Sequence, residues 1–78
     1  MDLQEKYFLV AAQEKSITAA ARKLFISQQC LSKHIQQLEA RYQVPLFIRK
    51  PVFSLTPAGE CIAHNLSKIA TLETNMQL

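Results

Sequence analysis

Residues 16–39 read Ser16-Ile17-Thr18-Ala19-Ala20-Ala21-Arg22-Lys23-Leu24-Phe25-Ile26-Ser27-Gln28-Gln29-Cys30-Leu31-Ser32-Lys33-His34-Ile35-Gln36-Gln37-Leu38-Glu39. Two serines divide this stretch. Ser16 and Ser27 each precede a run free of proline and glycine, and a serine there accepts a hydrogen bond from an otherwise unpaired N–H of a helix's first turn. The first run, Ile17 to Leu24, holds three consecutive alanines, which favour helix and let a neighbouring helix approach closely. Arg22 and Lys23 near its end suit the negative end of the helix dipole. The second run, Gln28 to Tyr42, places Leu31, Ile35, Leu38 and Tyr42 at i, i+4, i+7 and i+11, a single apolar stripe. Gln28, Gln29, Ser32, Lys33, Gln36 and Gln37 lie largely off that stripe. Phe25-Ile26 reads as a short apolar bridge between the runs. Two helices joined so tightly, the second with a polar exposed face, make a helix-turn-helix candidate.

The flanks extend the pattern. Upstream, Leu3, Tyr7, Val10 and Ala11 recur at helical spacing with Phe8 beside them, predicting a first helix over 2–14. Downstream, Pro45 and Pro51 break helical pattern. The apolar, partly β-branched residues Val44, Leu46, Phe47, Ile48, Val52, Phe53 and Leu55 predict two short strands around a turn at Arg49-Lys50-Pro51. Thr56-Pro57 supplies a capping hydroxyl followed by proline at the first helical position, so a last helix starts at Pro57 and runs to about residue 75. Ile62, Leu66, Ile69, Leu72 and Met76 line one face of it, and the pattern reaches the end of the sequence without a stop signal. The expected fold is mainly α: a winged helix-turn-helix with a three-helix core, a short two-stranded wing and a long C-terminal linker helix. The helix-turn-helix spans about 17–36 and the wing about 44–55 within a 1–58 domain, and 57–78 form the linker helix.

Composition narrows the function. At 78 residues the chain is one domain or a piece of a larger protein, burying only about 60–65% of its unfolded surface. Little room remains for a deep pocket of a few hundred Å³. The net charge of +3 conceals an asymmetry. Residues 15–50 carry Lys15, Arg22, Lys23, Lys33, Arg41, Arg49 and Lys50 against Glu39 alone, whereas the segments on either side are net acidic. A basic middle segment fits a polyanion partner, or equally a set of solvated helix faces. The single glycine argues against a glycine-rich phosphate loop. No apolar run is long enough to span a membrane, and the Met1-Asp2-Leu3-Gln4-Glu5 lead does not resemble a secretion signal. Cys30 and Cys61 form no CxxC pair, so reduced cysteines and a cytoplasmic location are expected, with both thiols read as core filler. His34 and His64 lack ligand spacing, and no nucleophile–base pair is visible. Neither metal, cofactor nor enzymatic activity is expected.

The residues quoted above resemble the DNA-binding half of LysR-type transcriptional regulators. The features that carry the resemblance are Ser16, Thr18, Ala20-Ala21, Leu24, Ser27-Gln28, Leu31-Ser32-Lys33, Ile35 and Leu38-Glu39, in register. Leu46-Phe47-x-Arg49 and Leu55-Thr56-x-Ala58-Gly59-Glu60 match the family's wing and the start of its linker helix. Three positions depart from the pattern. Gln29 stands where the family usually has proline, and Cys30 where it has alanine. Lys50-Pro51-Val52-Phe53 occupies the wing tip, where another arginine is common. Family members also carry a larger C-terminal effector-binding domain, which is absent from these residues.

The resemblance implies sequence-specific binding of double-stranded DNA in a bacterial cytoplasm. Gln28, Gln29 and Ser32 would meet base edges at the N-terminal end of the recognition helix, beside the Ser27 cap, and Lys33 bases or phosphate; His34 and Gln36 would rank lower, as flank contacts. Thr18, Arg22 and Lys23 would contact phosphates. Arg49 and Lys50 would contact backbone or minor groove, unless Arg49 braces the wing through a carboxylate. Thr56 is read as a helix cap that could also touch phosphate, and Glu39 as a helix charge or a brace, not a catalytic acid. Ile62, Leu66, Ile69, Leu72 and Met76 would pair with a second subunit as a homodimer, a tetramer being open to the full-length protein, although part of that stripe must also serve the first helix. A small-molecule effector would be met only by the C-terminal domain. The competing reading is a winged-helix protein-interaction module with no role in DNA binding.

Overall fold

The computed structural model describes residues 1–76, with side chains through Thr71. In chain order the elements are α1 (Leu3–Glu14), α2 (Ile17–Leu24), α3 (Gln28–Tyr42), β1 (Phe47–Ile48), β2 (Ser54–Leu55) and α4 (Pro57–Met76). Each predicted element is present. Ser16 caps α2 by accepting from the Ala19 N–H at 3.1 Å, and Ser27 caps α3 by accepting from Cys30 at 3.0 Å. The start of α1 is a reciprocal box. Asp2 accepts from the Glu5 N–H at 2.9 Å, and Glu5 accepts from the Asp2 N–H at 3.0 Å.

The helix ends show how a chain with one glycine turns corners. Lys15, Phe25 and Gln43 hold left-handed φ of 55°, 58° and 58°. None is glycine, so each is expected to cost roughly 1 kcal/mol. Backbone bonds offset that cost. Ile26 N–H reaches the Ala21 carbonyl at 3.0 Å and Phe25 N–H reaches Arg22 at 3.2 Å; Val44 and Gln43 repeat the arrangement on Glu39 and Ala40. The Phe25-Ile26 bridge is therefore split. Ile26 packs toward the core, but Phe25 stands 95% exposed, because the left-handed turn swings it away from the helices.

The glycine is used where no Cβ fits. A Cβ on Gly59 would lie 2.1 Å from the Leu46 carbonyl oxygen, so α4 can approach the Leu46 backbone just ahead of β1 only at a glycine. Leu46 is pinned from the other side as well. Glu39 Oε2 accepts from the Leu46 N–H at 2.7 Å and the Phe47 N–H at 3.3 Å, so of its two readings, helix charge or brace, Glu39 is a brace. Thr56 caps α4 at Gly59 (3.0 Å) and donates to the Pro45 carbonyl at 2.7 Å.

The core joins Phe8, Leu9, Ala11 and Ala12 of α1 to Ala20 and Ala21 of α2, Leu31, Ile35 and Leu38 of α3, Leu46, Phe47, and Leu66 of α4. The apolar stripe predicted for α3 is the one buried. The wing pairs antiparallel, Phe47 opposite Leu55 and Ile48 opposite Ser54. An aromatic series roots it. Phe53 stacks on Phe47 at 4.4 Å, and Phe47 meets Phe8 at 5.4 Å. Cys61, expected in a packing face, is instead exposed. It lies on the side of α4 opposite Leu66, and its sulfur receives the Asn65 amide at 3.9 Å. Cys30 is half-buried. Among the described residues no helix is long and apolar enough to cross a membrane.

Candidate nucleic-acid interface

The N-terminal edge of α3 is built by its cap. Ser27 directs its hydroxyl to the Cys30 N–H, which leaves the Gln28 and Gln29 N–H groups without intrahelical acceptors and pointing along the positive end of the dipole. Gln28, Gln29, Lys33 and Gln36 are exposed and Ser32 is half-buried. Gln29, Lys33 and Gln36 follow one another at i, i+4 and i+7 on the face opposite Leu31 and Leu38, and Ser32 and Gln28 run beside them toward the Ile35 edge, so the five side chains form two adjoining rows. Among the described residues none of these five side chains has a hydrogen-bond or ion-pair partner. A polar row held outward without partners can offer amide donor–acceptor pairs and one ammonium to a ligand that brings its own complementary edges.

The basic side chains divide into free and engaged. Arg22, at the end of α2, and Arg49 and Lys50, at the wing tip, are exposed and have no carboxylate partner among the described residues. Arg49 therefore does not brace the wing. Thr18 is exposed on the first turn of α2. Lys23 is engaged, its ammonium lying 3.3 Å from Glu14 and tying α2 to α1.

Arg41, one of the seven basic residues of the central segment, is engaged most fully. It bonds Asp2 at 2.7 Å and lies 3.7 Å from Glu5, while its guanidinium sits 5.2 Å over the Tyr42 ring. The Tyr42 hydroxyl donates to Glu5 at 2.7 Å. This network joins the start of α1 to the end of α3. The Glu5 N–H bond and then the Arg41 guanidinium lower the Asp2 carboxyl below its ordinary value. Asp2 in turn raises Arg41. Burial, then the bond to Glu5, raises the Tyr42 phenol. Gln37, next to the reading rows, is likewise held, receiving the Gln4 amide at 3.0 Å.

Two other placements depart from expectation. His34 is half-buried, its ring meeting Tyr7 edge-on at 5.0 Å and 87°, and its Nδ1 is enclosed without a partner among the described residues. It belongs to the α1–α3 contact because it lies beside Leu31 and Ile35 on the helix surface rather than opposite them. On α4, Leu66 is 5% exposed within the single chain, Ile62 is half-buried against the core, and Ile69 is 42% exposed. Leu72 and Met76 lie outside the residues whose side chains are described. The capping box and its network were missed by the sequence reading, although Asp2-x-x-Glu5 ahead of an apolar helix was the signal for it.

Comparison with known proteins gives this geometry a family. The model of the bacterial regulatory helix-turn-helix protein, lysR family, matches residues 4–60. The probable cat1 operon transcriptional activator of Acinetobacter lwoffii is 50% identical over 62 residues, covering 76% of this chain and 20% of that protein. The Hca operon transcriptional activator HcaR of Escherichia coli K12 is 40% identical over 74 residues, covering 94% of this chain and 25% of that protein. This chain thus spans about a quarter or less of the length of these two curated relatives. Among solved structures, the BenM DNA-binding domain in complex with catB site 1 DNA superposes with a TM-score of 0.88 at 33% identity, over 97% of this chain and 88% of that one. Full-length CbnR complexed with its target DNA superposes with a TM-score of 0.84 at 32% identity, over 99% of this chain and 27% of that one. With the capped, outward-facing start of α3, the braced wing and the long fourth helix all in place, the chain belongs to the LysR family of bacterial regulatory helix-turn-helix proteins, and its fold is the winged helix-turn-helix of that family's DNA-binding domain.

Proposed function

We propose that this chain binds a specific double-stranded DNA site, with α3 entering the major groove end-on and the wing resting beside it. The observation that carries this reading is the unpartnered polar row at the start of α3, whereas the cluster of Asp2, Glu5, Arg41 and Tyr42 at the other end of that helix is mutually bonded. Gln28 and Gln29 each present an amide that pairs bidentately with adenine N6 and N7, worth about 1–3 kcal/mol of discrimination. Ser32 and Lys33 reach bases or phosphate one turn on, with Gln36 at the flank. Thr18 and Arg22 meet phosphates from α2, and Lys23 joins them by exchanging Glu14 for phosphate. Arg49 and Lys50 meet the backbone or minor groove from the wing. Ser27 acts chiefly as the cap that exposes the first two N–H groups.

The chain acts as a homodimer through α4, presenting two copies of α3 to half-sites about one helical turn apart or a multiple of that. Ile69 is the apolar side chain most available for that contact, with Ile62 at its margin and Leu72 and Met76 further along. Leu66 is committed to its own protomer.

The test is selection of bound sites from random DNA, followed by titration across a salt series. Specific binding whose affinity falls steeply with salt, by a log–log slope of about 0.9 per phosphate neutralised, supports the reading. No selected motif, or affinity indifferent to salt, ends it and favours a protein-interaction module.

A further inference from the structure

A cavity of about 250 Å³ opens at the foot of the wing, where the end of α1, both wing strands and the first turn of α4 meet. Its floor is apolar. Phe47, stacked on Phe53 at 4.4 Å and 23°, lies there with Ala12 and Leu55. Phe47 and Ala12 are buried, but Phe53 and Leu55 are only partly covered by the protein. The rim is charged, with both signs present. Lys15 stands on the α1 side and Glu60 on the α4 side. Both are exposed, and among the described residues neither side chain has a hydrogen-bond or ion-pair partner. They do not pair with each other, in contrast with Lys23 and Glu14 at 3.3 Å. Neither residue belongs to the open edge of α3 or to the wing tip, so the proposed DNA contacts leave both unused.

We propose that this cavity binds a small zwitterion with an apolar side chain, the chemistry of a free hydrophobic α-amino acid. Its carboxylate meets Lys15, its ammonium meets Glu60, and its side chain covers Phe53 and Leu55. Charge complementarity selects this class. A zwitterion gives each rim group a charge-assisted hydrogen bond and brings no net charge against the apolar floor. A simple anion would satisfy Lys15 but face Glu60 as a like charge, and a simple cation would do the reverse. A purely apolar molecule would use neither rim group. The size agrees. The cavity falls below the range of pockets for drug-sized ligands, about 300–1,000 Å³, and holds the volume of about eight waters, close to that of a single amino acid. The backbone at Lys15 adds a consistent detail. Its φ of 55° is a conformation that glycine adopts at lower cost, and the lysine there adds a cation to the rim. Bound in this way, the molecule ties α1 to α4 across the foot of the wing.

Titration of the chain with L-leucine, followed through backbone amide NMR shifts, tests the site. Saturable shifts should gather at Lys15, Ser54, Leu55 and Glu60, with a dissociation constant on the order of 1 mM for so small a ligand. Three further probes each remove one feature. Leucinamide lacks the carboxylate, N-acetyl-leucine lacks the ammonium and glycine lacks the apolar side chain. Each should bind at least about fivefold more weakly than leucine. Two variants then match residue to feature. Lys15→Gly suits the left-handed backbone, should keep the fold, and should erase the preference for leucine over leucinamide. Glu60→Gln should erase the preference for leucine over N-acetyl-leucine. This pairing of variant with probe is a double cycle that a general loss of stability does not reproduce. No saturable shift with leucine, or equal binding of all four probes, overturns the proposal, as does either preference surviving its variant. Shifts at the same residues that grow with protein concentration alone would place a second copy of the chain in the cavity and overturn it too. None of these outcomes bears on DNA site selection, which has its own test.

Discussion

The two ends of α3 are made of similar residues and do opposite things. At the C-terminal end, Glu39, Arg41 and Tyr42 bond to Leu46, Phe47, Asp2 and Glu5, and nearby Gln37 bonds to Gln4. At the N-terminal end, Gln28, Gln29, Ser32, Lys33 and Gln36 have no side-chain partner among the described residues. The same helix is thus clamped to the body at one end and open at the other. Polar side chains with partners hold the fold, and those without are available to a ligand. Composition does not distinguish the two classes; only the neighbours do.

That contrast can be broken from the clamped end first. Gly59→Ala drives a methyl group into the Leu46 carbonyl and should cost about 3 kcal/mol, the upper range for overpacking, read as a drop in Tm. Glu39→Ala leaves two amide donors without their acceptor and should cost about 2 kcal/mol. Below the melting transition, both variants should retain the preference among DNA sites, because the open end is untouched; altered site preference in a folded sample would dissolve the distinction between the ends.

The open end should respond the other way. Gln28→Ala should lose about 1 kcal/mol or more of discrimination between sites, with stability within about 0.5 kcal/mol of the parent. Arg22→Ala should weaken all sequences alike and lower the salt slope by about 1. Lys23→Ala should do so less, since its ammonium must first leave Glu14. Competition titrations against matched and mismatched duplexes separate these effects.

The smallest effect lies in the solvent-exposed network. The folded-state pKa of Asp2 is lowered, so its contribution is present above the ordinary carboxylate value of 3.8 and fades as the pH falls below that value. Tyr42 is shifted upward, so its contribution is complete below 10.0 and fades as the pH rises past that value. Arg41→Ala should flatten the acid edge of the Tm–pH profile slightly, steepen the alkaline edge slightly because Arg41 itself pulls the Tyr42 phenol down, and leave DNA binding unchanged. A large loss of affinity would move Arg41 to the reading side.

Much of this was legible in the residues. Ser16, Ser27 and Thr56 cap the helices their positions announce, and the Leu31–Ile35–Leu38 stripe is buried as its period requires. The α4 stripe shows where periodicity stops being informative. Ile62, Leu66 and Ile69 share a face by spacing, yet the body of the protomer covers Leu66, partly covers Ile62 and leaves Ile69 exposed. Leu66→Asp should therefore unfold the chain rather than separate subunits. A period specifies which side of a helix is apolar, not how far along its length the neighbours extend. Phe25 likewise read as a bridge, because its left-handed backbone is set by the bonds that close α2.

The sequence by itself determined the elements, their order and the apolar face of each, because helix caps, proline positions and side-chain period act within a turn or two of the chain. It also placed the polar row of 28–36 off the apolar stripe. Only the tertiary structure decided which cations remain free, which acids are spent and where the sole glycine is indispensable. Those outcomes depend on residues distant in the chain, Arg41 with Asp2 and Gly59 with Leu46, brought within bonding or van der Waals range by the core.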